Sequence, residues 1–345
     1  MFKISAWFRS VLLVLIAFTL TIACTQKPNT TAPGASPAPT AASPPLVSAA
    51  YNWVGYSSHY VAVKQKLFAK EGLNVQDLFF QSASEEITAV LAGKADIAWL
   101  TSGDAIQTAA KDPSLKIVYL VDYSNGADGI IGRNIATPKD AKGKNAAREN
   151  ILFEKVLLQA YLKQGGSTEA DLKIRDMEAG AAAAAFAAKQ VDLAVTYEPF
   201  LTKNAKLGGG QIIFSSKDTN LIADVVVVRD KLIKTRSKDL QAYFRAVDKS
   251  VKLVMAGDPE ALKIAGDKMG VTAAEVKEQL SGVKLFDVAA NKAIAFNKAD
   301  PKSLIGNLEL TAKAAEEFKI VTQPIKVESL YDDSIVKSAL LYLKW

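Results

Sequence analysis

The chain of 345 residues holds one cysteine, Cys24, and one histidine, His59. Without a second cysteine no intrachain disulfide can staple a core. Without a second histidine or a cysteine cluster a transition-metal site of the usual ligand set is disfavoured, so His59 is expected at the surface or at a helix start and no metal or cofactor is expected. No glycine-rich phosphate loop, nucleophile–base pair or cofactor lysine stands out, which argues against an enzyme. The 42 basic residues exceed the 36 acidic ones, but no dense Lys/Arg stripe interleaved with aromatics is present, so nucleic acid is not an expected partner. The apolar run VLLVLIAFTLTIA, residues 11–23, is too short to span a bilayer comfortably.

What is present is apolar content of 49%, enough for well-formed cores in two ordinary domains. Lys3 and Arg9 precede the apolar run and Cys24 follows it, the layout of a secretory signal peptide over residues 1–23. The segment TIAC resembles the lipobox of a bacterial lipoprotein, with Thr21 where the commonest lipoboxes carry Leu. That resemblance implies lipidation of Cys24 and a folded part in the periplasm, anchored to a lipid membrane. Residues 24–50 are rich in Pro, Ala, Thr and Ser and have little to bury, so they read as an extended tether.

From Tyr51 short apolar strands alternate with amphipathic helices, a pattern that predicts an α/β fold with mostly parallel sheets covered on both faces. The theme occurs twice, and AVLAGKADIAWLTSGDA is echoed by AAFAAKQVDLAVTYEPF. In both, an Ala-rich helix leads through Asp96 or Asp192 into a strand and then a polar segment. Ligand crevices of open parallel sheets lie beyond the carboxyl ends of the strands. The stretch LVDYSNGADGI, residues 120–130, follows a strand and precedes the passage to the second half, so its polar groups are placed to face a cleft between domains.

The order of GYSSHYVAVKQKLFAKEGLNV, AVLAGKADIAWLTSGDA, DYSNGADGI, VDLAVTYEPF and VVVVRDKLIKTRSKDLQAYFRAVDKSV resembles the substrate-binding lipoproteins of nitrate/sulfonate/taurine ABC importers, with thiamine-precursor-binding relatives, in the periplasmic binding protein superfamily. The resemblance implies two lobes with a mainly parallel sheet in each, a ligand cleft between them, and two crossing strands. Residues 51–132 with 231–345 would form the first lobe and 133–230 the second. It also implies a monomer that closes on a small ligand and delivers it to an ABC permease and its ATPase subunits. One departure concerns ligand charge: the first long helix of the second half opens in ARENILFEKVLL, where Glu149 and Glu154 compete with an anion for the helix N-terminus.

Candidate ligand contacts follow from placement. Asp122 and Asp128 lead, with Tyr123, Ser124 and Asn125 alternating between them so that not all five share one face; ordinary turn chemistry is the alternative. Tyr197 and Glu198 are the second half's contribution, Glu198 alternatively serving the start of the helix after Pro199. Trp53, Tyr56 and Tyr60 read either as an aromatic wall or as packing. Ser102 and Asp104 follow a strand, Asp104 alternatively capping its helix, and Asp224 and Glu149 complete the set, while Trp99 reads as core. Carboxylates without a matching Lys or Arg favour a small nitrogen-rich cation, an amidine, guanidine or amino-heterocycle. The alternatives are nitrate, a sulfonate such as taurine, or another small anion, and an enzyme of thiamine-precursor type on the same fold.

Overall fold

The computed structural model describes residues 44–219, 221–321 and 323–339. The expected signal peptide and Cys24 lie outside them. Among the described residues no helix is long and apolar enough to cross a membrane.

The first sheet begins earlier than the sequence suggested. Strand β1 is Leu46–Tyr51, inside the stretch assigned to the tether, because Leu46, Ala49 and Ala50 are wholly buried between neighbouring strands. It is followed by α1 (Ser57–Lys64), α2 (Leu67–Lys70), β2 (Val75–Phe80), α3 (Ala83–Leu91), β3 (Ile97–Thr101), α4 (Ser102–Lys111) and β4 (Leu115–Ser124). The chain then crosses into a second sheet as β5 (Asp128–Gly132) and continues with β6 (Asn145–Arg148), α5 (Leu152–Gln164), β7 (Lys173–Asp176), α6 (Ala179–Ala187), β8 (Leu193–Tyr197), α7 (Leu201–Leu207) and β9 (Gln211–Ser215). It returns to the first sheet as β10 (Ala223–Arg229), and helices with one short strand, β11 (Val283–Leu285), complete that lobe. The six-stranded sheet has the order β11-β4-β10-β3-β1-β2 and the five-stranded one β7-β6-β8-β5-β9.

Each sheet is parallel on one side only. β1 runs parallel to β2 and β3, and β6 to β7 and β8. The crossing strands β10 and β5 insert antiparallel to their neighbours, since a strand that enters from the other lobe runs the opposite way. For the same reason β5 belongs to the second sheet and β10 to the first, where the sequence division had placed each in the other lobe.

The internal echo is structural. Asp96 Oδ2 accepts a hydrogen bond from the Val47 amide at 2.9 Å, and Asp192 Oδ2 accepts one from the Asn145 amide at 2.9 Å. Each carboxylate pins the start of the parallel neighbour strand. Arg229 donates to the Val90 and Ala95 carbonyls, and Arg133, just after β5, donates to those of Phe186, Val191 and Gly208. Both guanidiniums therefore sit at the carbonyl end of the helix of the echoed unit, α3 for Arg229 and α6 for Arg133, where the helix dipole favours a cation. The shared scaffold brings the ends of β1, β3, β4 and β10 in one lobe toward β5 and β8 of the other.

Candidate functional site

The two crossings are tied together at their hinge. Ser124 and Ser216 hydroxyls are 2.7 Å apart, the Gly126 amide donates to Ser216 Oγ at 2.7 Å, and the Asp128 amide donates to Ser124 Oγ at 3.2 Å. Gly126, at φ 119°, lets the chain turn there with no side-chain strain. DYSNGADGI is thus a crossover that leaves Asp122 on one lobe and Asp128 on the other.

Strand alternation sorts the polar residues of this stretch. Asp122 pairs in register with Asp224 of β10, and both are completely buried. Tyr56 donates to Asp224 Oδ1 at 2.7 Å and Trp53 Nε1 to Asp122 Oδ2 at 3.4 Å. Asp128 sits beside Asp224 and feels its charge. Tyr123 points the other way, packing on Phe286 and donating to the Lys302 carbonyl, and Asn125 is an exposed turn residue. Neither joins the buried cluster: Tyr123 faces away from Asp122 because successive side chains of a strand face opposite sides, and Asn125 lies in the turn beyond β4.

The second lobe closes the cluster with Tyr197, whose ring contacts Trp53 at 5.8 Å and Tyr51 at 5.7 Å, and with Glu154 of α5. Both are buried. No donor or acceptor reaches the Tyr197 hydroxyl, Ser102 Oγ, Asp128 Oδ2 or Glu154 Oε1. Buried polar atoms are ordinarily paired, so this concentration marks the surface a ligand would satisfy.

Two further candidates reach across the lobe boundary. Asp104 hydrogen-bonds Thr101 at the start of α4, and its Oδ1 accepts from the Leu152 amide at 3.2 Å in the first turn of α5. Glu149 accepts from the Ser84 amide at 2.9 Å in α3 and from the Ala179 amide at 3.4 Å in α6. Glu198 lies at the rim, bound to the Thr202 amide and hydroxyl in α7, and lines a groove of about 600 Å³ with Lys203, Lys206, Glu275 and Glu278. Tyr60 is structural: its hydroxyl donates to the Tyr51 carbonyl and accepts from the Trp53 amide. His59 is in the first turn of α1 but fully buried, 2.9 Å from Asp77. Trp99 is core, donating to Tyr243.

The electrostatics follow from burial. Desolvation raises the Asp104 carboxyl to about 7. It pushes Asp128, Asp224 and Glu154 well above the carboxylate range, with Asp224 adding to the rise at Asp128, Asp122 to that at Asp224, and Glu149 to that at Glu154. Asp122 is raised by burial as well, eased by its contact with Asp224, as expected for two carboxyls sharing a proton. Arg148, whose charge reaches Glu154, is itself held by Glu169 and Asp176. The site therefore holds protons, or meets a ligand that brings donors. Among the described residues no group of three or more His, Cys, Asp or Glu side chains is arranged to hold a metal ion.

Sequence reasoning left out Gly55, Asn52 and Glu154 as site residues. A Cβ on Gly55 would lie 2.1 Å from Asp122 Oδ2, a close approach that VGY after the first strand signals only once the strand's end is known. Asn52 Oδ1 is another buried atom without a partner.

The family description NMT1/THI5 like matches residues 54–261. The chain belongs to the NMT1/THI5-like family. A relative of Bacillus subtilis (strain 168) named "Putative aliphatic sulfonates-binding protein" is 22% identical over 277 residues, 79% of this chain and 80% of the relative. The alkanesulfonate-binding protein of Xanthomonas axonopodis pv. citri, solved bound to MOPS, superposes with a TM-score of 0.71 at 17% identity, covering 85% of this chain and 99% of that one. The periplasmic aliphatic sulphonate binding protein of Escherichia coli gives 0.68 at 16% identity, with 85% and 94% coverage. This member of the NMT1/THI5-like family accordingly has the two-lobed periplasmic binding protein fold.

Proposed function

We propose that this NMT1/THI5-like protein is the extracytoplasmic solute-binding component of an ABC importer, taking a small solute between its lobes and presenting it to a membrane permease and its ATPase. One observation carries this reading: a ring of buried, unpartnered polar atoms supplied jointly by both lobes, Ser102 from one and Asp128, Glu154 and Tyr197 from the other. Such a site forms when the lobes meet and is lost when they part. The same cluster lacks a nucleophile with an adjacent base, so capture and release suit it better than turnover. Anchoring through Cys24 belongs to the proposal: Cys24→Ala should leave the folded part released or unprocessed, and an unchanged membrane fraction with an unchanged processed mass would refute the anchor.

Ligand charge is where the site and the relatives divide. The relatives are named for sulfonates; they lend the amidine or guanidine class no support, and the anion alternative fits them better. The site's own residues favour a ligand that donates hydrogen bonds, since no lysine or arginine joins Asp122, Asp128, Asp224 and Glu154 among the contacts described above. A sulfonate would be received here by carboxyls that keep their protons. Calorimetry with methylguanidine, acetamidine, urea, taurine and ethanesulfonate from pH 5 to 8 separates the readings. A cation bound by carboxylates should tighten as pH rises, by up to tenfold per unit for each proton released, about 1.4 kcal/mol. A sulfonate bound by carboxylic acids should weaken in the same direction. Asp122→Asn should abolish the pH dependence contributed by the Asp122–Asp224 pair. Absence of saturable binding by any small solute would count against the importer reading itself.

A further inference from the structure

We propose that Asp104 and Glu149 act as specificity-determining residues that exclude anionic head groups, by filling from within the chain the helix N-termini such a group would use. This rests on the solute-binding reading and concerns the same site.

Helices α3, α5 and α6 all begin at the interlobe cluster. A helix N-terminus offers free amides and a positive dipole end, the backbone's own anion site. Here one amide of each is taken by an acid of the cluster. Asp104 comes from the first lobe and accepts from Leu152 of α5 in the second. Glu149 comes from the second lobe and accepts from Ser84 of α3 in the first, while its other oxygen takes the Ala179 amide of α6. Neither α5 nor α6 has a side-chain cap from the residue at its own N-cap position, Ile151 and Glu178 respectively, so the two acids supply what the local sequence omits. Asp104 is wholly buried and Glu149 nearly so, at 2% exposure.

An independent feature points to a ligand in this space. The buried Tyr197 hydroxyl has no partner, and it lies within the influence of Glu149, Glu154, Asp128 and Asp104. It is neutral and unsatisfied, so it awaits a ligand group whatever the state of the acids around it. A sulfonate reaching Tyr197 would find a first-turn amide of each helix already bonded to an acid. To take an amide it would have to displace the Asp104 or Glu149 oxygen that already holds it and leave that carboxyl buried without its partner, at a cost in desolvation that the gained hydrogen bonds do not cover. A neutral or cationic solute needs no such displacement. The two acids also bridge the lobes, so the contacts that bar an anion are the contacts that close the site.

The test uses methanesulfonate, with chloride at equal ionic strength as control, on the full folded chain and its Asp104→Ala, Glu149→Ala and Asp104→Asn variants, read by thermal shift and calorimetry. In the unaltered protein methanesulfonate should stabilise no more than chloride. Asp104→Ala frees the Leu152 amide of α5, so it should gain saturable binding, tighter by about tenfold or more, the scale of a charge-assisted hydrogen bond. Glu149→Ala should gain in the same direction. Asp104→Asn keeps an acceptor on Leu152 and guards against misfolding of the truncated variants; its amide oxygen is a weaker and more easily displaced acceptor, so it should show a smaller gain. Tight binding of methanesulfonate by the unaltered protein overturns the inference and leaves the importer reading standing. A folded Asp104→Asn with no gain, and truncated variants no better than the parent, overturn it as well. Gain in the variants, with no small solute bound by the parent, would support the exclusion role and count against the importer reading.

Discussion

Unliganded protein should melt at a lower temperature at pH 8 than at pH 5. An acid whose carboxyl is raised on folding holds its proton in the native state after the unfolded chain has lost it. Its stabilising contribution is complete below about pH 4 and is lost as pH rises through the folded value. Asp104, raised to about 7 by burial, loses about 1.4 kcal/mol for each pH unit in that window, on the order of 3 kcal/mol between pH 5 and 7. Asp122, Asp128, Asp224 and Glu154 act in the same direction. Glu71 and Asp77, lowered by Lys249, Arg245, His59 and Lys268, contribute stability that is lost only in more acid solution, so they do not offset the trend. A fall of roughly 5 to 10 °C is expected for a chain of this size. Asp104→Asn should flatten the curve by about one proton's worth. A melting temperature that is level or rises from pH 5 to 8 would show that the buried acids are ionised throughout.

Replacement of Gly55 by alanine should weaken ligand binding by about a hundredfold while costing only modest stability. The new Cβ would stand 2.1 Å from Asp122 Oδ2 and 2.3 Å from Trp53 Nε1. Both side chains are buried, Trp53 against Tyr197 and Asp122 against Asp224, so at least one must leave its place. Overpacking of this kind costs about 1–3 kcal/mol, and displacing Asp122 from its partner should weaken solute binding by about a hundredfold, the loss of one or two charge-assisted bonds. Gly306→Ala is the control, since a Cβ there meets nothing within 4 Å and should stabilise helix Leu304–Glu317 by about 0.5–1 kcal/mol. Binding by Gly55→Ala at the parent's affinity would show that neither Asp122 nor Trp53 touches the ligand.

That Asp122, Asp128, Asp224 and Tyr197 lie together was legible because chemistry and position coincide in the sequence. Asp122 and Tyr197 lie near the carboxyl ends of β4 and β8, while Asp128 and Asp224 open the antiparallel crossing strands β5 and β10, whose starts meet those ends, so all four come together. Alternation also made clear that DYSNGADGI could not present every polar group to one side. Which ones turn away was not legible, because it depends on the register between β4 and β10: Tyr123 goes to Phe286, and Asn125 to solvent. Tyr60 was indistinguishable from Tyr56 by type and spacing, yet its hydroxyl is spent on the backbone at the end of β1.

By itself the sequence determined the α/β class, the doubled helix–strand unit with Asp96 and Asp192 in matching places, and an excess of acids over bases at the strand ends. These are local properties, set by periodicity and residue type. Tertiary structure alone decided that β1 starts at Leu46, that β5 and β10 exchange lobes, and that Asp104 and Glu149 cap helices of the opposite lobe. Each depends on partners far along the chain: Asp104 meets Leu152 and Glu149 meets Ser84 only because two crossing strands fold the lobes together. The charge of the cluster is also a tertiary fact, since a carboxyl's proton affinity is set by the water and charges removed from around it.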